Sequence, residues 1–233
     1  MQVMSDSQPR VRATLPHHVR KVFVKTHDPL WQMQLGVVAI IVLQLLTSST
    51  FLPLHKAWLV GIEIVLLLAL VLVTSEGYRN VTRNRRNLAI LLIGLITAIN
   101  IFSLILLVDA LLIGQTEISG RGLLINGVVI YATNVLLFAL WYWEMDSGGP
   151  ERRLTATKRD FLFPQMIYPR FTDENWLPGF ADYLYLSTTN VTNFASADTQ
   201  PLTHSAKLLM VIQSLVSVMT VVLVLARAIS ILH

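Results

Sequence analysis

Gln213, Ser217, Thr220 and Arg227 recur at offsets of 0, 4, 7 and 14 residues, which keeps them within about 80° of one another on a helix. A row of amides and hydroxyls inside a membrane can line a water-filled path for an ion. It can equally bond to the next helix, a common use of polar side chains in spans. Both readings stand. Arg227, close to the end of its apolar run, reads as an anchor that snorkels to the interface. Two carboxylates, Glu63 and Asp109, and two amides, Asn100 and Asn134, also fall inside apolar runs. Intramembrane ionisable groups are costly and are functional candidates. Glu63 and Asp109 stand only about one or two turns from the ends of their runs, so an interfacial position is expected for both. The deeper asparagines are expected to pair across helices. No constellation points to an enzyme: there is no phosphate-cradling glycine loop, no HExxH pair and no nucleophile elbow. Asp198, His204 and Ser205 share too short a turn to converge. The chain has no cysteine, which removes thiolate chemistry, disulfides and sulfur-ligated metals. No cofactor and no metal site are expected.

These side chains need apolar helices to carry them. Of 233 residues, 54% are hydrophobic and only 14% charged, with a mean hydropathy of +0.59; average soluble domains carry about a quarter charged residues. Five apolar runs read as spans, at about 31–51, 58–75, 88–113, 123–145 and 208–226. Five of the Lys and Arg residues lie in the tail 1–30, four in the loop 76–87 and six between 146 and 207. Lys56 and Arg121 are alone in the other two loops. Fifteen against two predicts the N-terminus inside and the C-terminus outside. The net charge of +4 is thus a positive-inside pattern, and no nucleic-acid partner is expected. Trp31, Trp58, Trp141, Trp143 and Trp176 fall near predicted span ends, as an aromatic belt would place them. The tail reads as a cytoplasmic segment with a short surface helix at 19–25, a solvated His17–His18 pair and no signal peptide. Asn80-Val-Thr82 and Asn190-Val-Thr192 match the glycosylation pattern, but the first is expected inside and the second at membrane depth.

Ahead of the last span, a helix is expected to open at Pro178, a position proline tolerates, and to run to Thr189. Its length of about 18 Å covers roughly half of a hydrocarbon core near 30 Å thick. A polar turn and a full span follow, so this stretch reads as a re-entrant loop with an inner helix. The segment TNFASADTQPLTHSAKLL resembles the pore signature of potassium-channel-like proteins, in which a TTVGYGD filter precedes a PxT and Arg-Leu-Leu. Thr192 stands at the filter threonine, Asn193–Ala197 at TVGYG and Asp198 at the filter aspartate, with Pro201, Thr203 and Lys207 in the flanking pattern. WYWEMDSGGPERR and DFLFPQ are similar to stretches of uncharacterised bacterial integral membrane proteins with the same half-pore ending.

The resemblance implies a pore-loop cation channel-like protein, not an enzyme, assembled as a homotetramer because one loop cannot enclose a pore. Ala195 and Ala197 occupy both filter glycines, and alanine does not adopt cheaply the backbone of a carbonyl ladder. The expected ion ligands are therefore side-chain oxygens of Thr192, Asn193 and Ser196, with Asp198 concentrating monovalent cations at the mouth and Gln213, Ser217 and Thr220 along the path. Such a ring discriminates weakly. The alternative is a non-conducting scaffold or sensor that keeps the architecture as a packing motif. The expected fold is all-α and polytopic, with five spans plus one re-entrant helix in a plasma (inner) membrane. It divides into the tail 1–30, a three-helix region 31–122 and a pore-like module 123–233. The charge rule sends the loop in from the cytoplasm, the orientation of ionotropic glutamate receptors.

Overall fold

A computed structural model describes residues 31–46, 56–75, 82–113, 120–153, 155–173, 176–193 and 198–232. The tail with its surface helix and His17–His18, Asn80, Ala195, Ser196 and Ala197 lie outside the described residues. Four helices come first: α1 (Trp31–Leu46), α2 (Lys56–Ser75), α3 (Thr82–Ile113) and α4 (Gly120–Met145). The stretch between the fourth apolar run and the helix expected at Pro178, given no element from the sequence, is folded. It holds a 3-10 turn at Asp146–Gly148, α5 (Pro150–Arg153), β1 (Phe161–Leu162), α6 (Pro164–Ile167) and a second 3-10 turn at Pro169–Phe171. Then come α7 (Phe180–Thr192), β2 (Gln200–Pro201) and α8 (His204–Leu232). β1 and β2 pair antiparallel, with Phe161 opposite Pro201 and Leu162 opposite Gln200.

Three helical segments, Arg85–Ala110, Arg121–Gly148 and His204–Ile229, are long and apolar enough to cross a membrane. Trp31–Leu45 and Val60–Leu72 are shorter apolar helices. α4 is the hub, packed against α1, α3, α7 and α8. One continuous core joins Met33, Val37 and Ile40 of α1 to Ile93 and Ile96 of α3, Leu137 and Tyr142 of α4, and Tyr183 and Leu186 of α7. Outside that apolar core, large apolar side chains also face outward, and polar groups are enclosed. Leu35, Val38 and Val42 on α1, Phe102 and Ile105 on α3, and Leu208, Val211, Leu215 and Val222 on α8 are exposed, while Asn100, Asn126, Asn134, Gln213, Ser217 and Thr220 are buried.

The aromatic belt needs correction. Trp31 is exposed, but Trp143 is fully buried, and Trp141 donates to Thr97 Oγ1 at 3.0 Å. The cluster at the end of α4 is enclosed because four helices surround α4, so nearness to a span end says nothing about the direction of the ring. Glu63 is enclosed within the fold as well. It is 0% exposed and accepts from Gln44 Nε2 at 3.2 Å, because its position on the helix turns it toward α1 rather than outward. Asp109 is exposed, and Asn134 pairs across helices as expected, donating to Ser217 Oγ at 2.7 Å.

α4 and α8 approach closely at Gly127, where an added Cβ would stand 2.3 Å from Val224 Cγ2. A β-branched side chain on a helix has little rotamer freedom with which to retreat. Gly127→Ala is therefore expected to lower stability by about 1–3 kcal/mol, the usual cost of overpacking, and Val224→Ala in the same chain should restore much of it. The thermal midpoint of monodisperse elution in detergent reads both. A Gly127→Ala midpoint equal to wild type would show that the helices separate freely there.

Candidate functional site

Gln213 is the centre of a polar seam between α4, α7 and α8. Its Nε2 donates to Ser187 Oγ at 2.6 Å and to Ser187 O at 3.2 Å. Its Oε1 accepts from the Tyr142 hydroxyl at 2.5 Å and from Asn190 Nδ2 at 2.9 Å. Asn190 also donates to Met210 O at 3.1 Å, and Ser187 Oγ donates to Val135 O at 2.6 Å. One turn further along α8, Ser217 accepts from Asn134, and Thr220 bonds back to Val216 O at 2.8 Å. Gln213, Ser217 and Thr220 are all fully buried. The stripe foreseen as either a lining face or interhelical bonding thus faces α4 and α7 of its own chain, and water could run along it only by parting the three helices. Asn190, the second glycosylation match, is buried in the same seam.

The direction of α7 follows from its bonds. Tyr183 in its first turns donates to Asp146 just beyond the end of α4, and Ser187 reaches back to Val135. α7 therefore runs antiparallel to α4, back along it from the end where α4 stops. Its 13 residues span about 20 Å. The chain then returns to β2, which pairs with β1 beside Asp146. On the returning arm Asp198 is exposed and accepts from the Tyr185 hydroxyl at 3.1 Å. Thr192 is exposed, with its hydroxyl on Thr188 O at 2.9 Å. Asn193 is exposed at the helix end, its N–H on Thr189 O. Of the expected ion ligands, Thr192, Asn193 and Asp198 share the uncovered side of α7 and its return, and Gln213, Ser217 and Thr220 lie on the closed side.

A second buried cluster, not foreseen from the sequence, sets where α7 and α8 begin. Asp146 Oδ1 accepts from Ser147 Oγ at 3.0 Å and from the N–H of Asp160 at 3.1 Å and Phe161 at 3.4 Å. Its Oδ2 takes the Tyr183 hydroxyl and stands 3.7 Å from Arg153 Nε. Arg153, 1% exposed, donates to Pro178 O at 3.0 Å and Trp143 O at 2.6 Å and lies 4.9 Å from the Tyr183 ring centroid. Asp160 accepts from Ser147 N at 2.8 Å and from Thr203 Oγ1 at 2.6 Å, tying the turn to the start of α8. The chain bends there through three residues with positive φ: Ser147 at 58°, Gly148 at 82° and Gly149 at 99°. Glycine takes that region without a Cβ penalty; Ser147 holds it with bonds at both its N–H and its hydroxyl. The Asp-Ser-Gly-Gly-Pro run is the signal that could have marked this turn.

Beside the cluster, Arg85 of α3 forks between Glu144 at 3.0 Å and Glu151 at 2.9 Å. Asp182 accepts from Gly179 N–H at 2.8 Å; burial pushes its carboxyl up, against the opposing pull of that N–H and of Arg153. Among the described residues no group of three His, Cys, Asp or Glu is placed to hold a metal ion. Comparisons with protein-family models, with curated proteins and with solved structures find no match for this chain.

Proposed function

We propose that this chain is a multi-pass plasma-membrane protein with five spans and a re-entrant α7, a pore-loop protein that assembles as a homotetramer around a weakly selective cation path. One observation carries the reading. α7 penetrates about 20 Å back along α4, and its return leaves Tyr185, Thr188, Thr192, Asn193 and Asp198 uncovered. Irregular backbone at membrane depth is tolerated only where protein buries it or a water-filled cavity receives it. Turning that side toward a four-fold axis satisfies it, and the apolar faces of α1, α3 and α8 then meet lipid. The proposed path is lined by Thr192, Asn193, Ser196 and Asp198; Gln213, Ser217 and Thr220 brace the loop from behind. Four copies of Asp198 concentrate cations at the mouth.

Sodium or potassium flux into proteoliposomes holding a verified tetramer tests this. Asp198→Asn is expected to cut the flux several-fold, while Tyr185→Phe, which removes the hydroxyl but keeps the charge, leaves most of it. Equal losses in both variants would assign the effect to the bond rather than the charge. No leak above empty liposomes favours the scaffold reading, which the closed Gln213 seam and the apolar outer face of α8 also support.

The orientation is tested separately. With the N-terminus inside and five spans, a periplasmic phosphatase fused after His233 should be active and a fluorescent protein there dark. Bright fluorescence with a dead phosphatase would require an even number of crossings and overturn the layout.

A further inference from the structure

The stretch from Ile167 to Phe171 is five consecutive exposed residues, Ile-Tyr-Pro-Arg-Phe. Phe171 is 88% exposed and Tyr168 60%. This is not a loose excursion. Phe163, immediately before α6, is 2% exposed and packs edge-on against Tyr183 and Trp176, with ring centroids 5.3 and 5.8 Å apart. Met166 packs into the same core. Thr172 ties the far end back, its hydroxyl on Gln165 O at 3.2 Å. The lobe is thereby held at the level of Asp146 and Tyr183, where α4 leaves its apolar run. Held aromatics that find no place in the core mark a surface waiting for a partner.

We propose that this lobe is an interfacial anchor, with Phe171, Tyr168 and Ile167 seated in the headgroup region of the cytoplasmic leaflet. Rings at that depth keep their bodies in hydrocarbon and the tyrosine hydroxyl in the wet layer. Charge argues for anionic lipid. Arg170 lies within the lobe, and Arg152, Lys158 and Lys207 are exposed at the same end of the bundle, against two exposed acids beside them among the described residues, Asp173 and Glu151, the latter paired with Arg85. An open cleft of about 400 Å³, lined by Pro164, Gln165, Tyr168, Phe171 and Thr172, gives the upper part of an acyl chain a place to lie. The inference rests on the membrane reading above.

The absence of cysteine makes a single label unambiguous. Nitroxide would be attached at Phe171→Cys, at Tyr168→Cys and at Leu215→Cys, the last on the exposed apolar face of α8. Each variant would be reconstituted into vesicles of phosphatidylglycerol and phosphatidylcholine. Relaxation by oxygen against a water-soluble nickel chelate reads depth. The lobe labels are expected just below the phosphates, with Leu215→Cys deep in the hydrocarbon. Arg170→Glu should move the lobe labels outward in anionic vesicles and leave them nearly unchanged in pure phosphatidylcholine. Lobe labels open to nickel while Leu215→Cys stays lipid-embedded would overturn the anchor and keep the membrane reading. Lobe labels shielded from both reagents would overturn it in favour of a protein contact. A nickel-accessible Leu215→Cys would remove the membrane reading and the anchor together.

Discussion

Asp146→Ala is expected to unfold the end of the bundle from which α7 and α8 start. The carboxylate is fully buried and accepts from Tyr183, Ser147 and two backbone N–H groups while facing Arg153. Its removal takes a buried acid away from the Arg153 guanidinium and leaves the Tyr183 hydroxyl and two backbone N–H groups short of an acceptor, a loss of about 3–5 kcal/mol. Total stability is only about 5–15 kcal/mol, so one substitution removes a large share of it. Asp146→Asn keeps the shape and some of the acceptors, and should cost less. Replacing both charges, in Asp146→Leu with Arg153→Met, should recover part of the loss, because apolar side chains need no desolvation. Thermal midpoints in mild detergent would rank the three. An Asp146→Ala midpoint within about 1 °C of wild type would mean the cluster contributes nothing, since about 1 kcal/mol shifts a midpoint by about 2–4 °C in chains of this size.

Gln213→Leu should cost about 2–4 kcal/mol, on about 1–3 kcal/mol for each buried group left unpaired. Leucine fits the volume but answers none of the four bonds. The Tyr142 hydroxyl loses its acceptor, while Asn190 keeps Met210 O and the Tyr142 hydroxyl and Ser187 keeps Val135 O. Ser217→Ala breaks a single interhelical bond, from Asn134. Bonds of that kind between membrane helices average about 0.6 kcal/mol and reach about 1.7 kcal/mol. The ordering, Gln213→Leu well below Ser217→Ala in midpoint, separates a seam that locks α7 from a stripe that merely lines a path. If instead the two variants melted together while flux changed at Gln213, the seam would be part of the conduction path.

The apolar runs were legible because stretches this long and this poor in charge stand out from the rest of the chain, and the structure puts helix in all five, three of them long and apolar enough to cross a membrane. α3 begins at Thr82, inside the expected basic loop, and α8 at His204, since helix ends are set by local bonding rather than by hydropathy. The half-length of α7 was also legible, from a proline start and a polar finish, though the helix itself lies at Phe180–Thr192. Residues 146–178 were not. Asp146 finds its partners 1, 14, 15 and 37 residues away, and no periodic pattern encodes contacts at such separations.

By itself, then, the sequence determined the class of element: apolar helices, a short polar-ended helix before the last of them, and basic residues gathered in the tail and in alternate connections. Spacing also determined that Gln213, Ser217 and Thr220 share a face, because the helix period alone sets that. Only the tertiary structure decided what the face meets. The rotation of α8 about its own axis is set by the close approach at Gly127 and by the partners that Tyr142, Ser187 and Asn190 hold out to Gln213. The same dependence turned Glu63 toward Gln44 and Trp143 into the core. A period says which side chains travel together; packing against neighbours far away in the chain says which way they point.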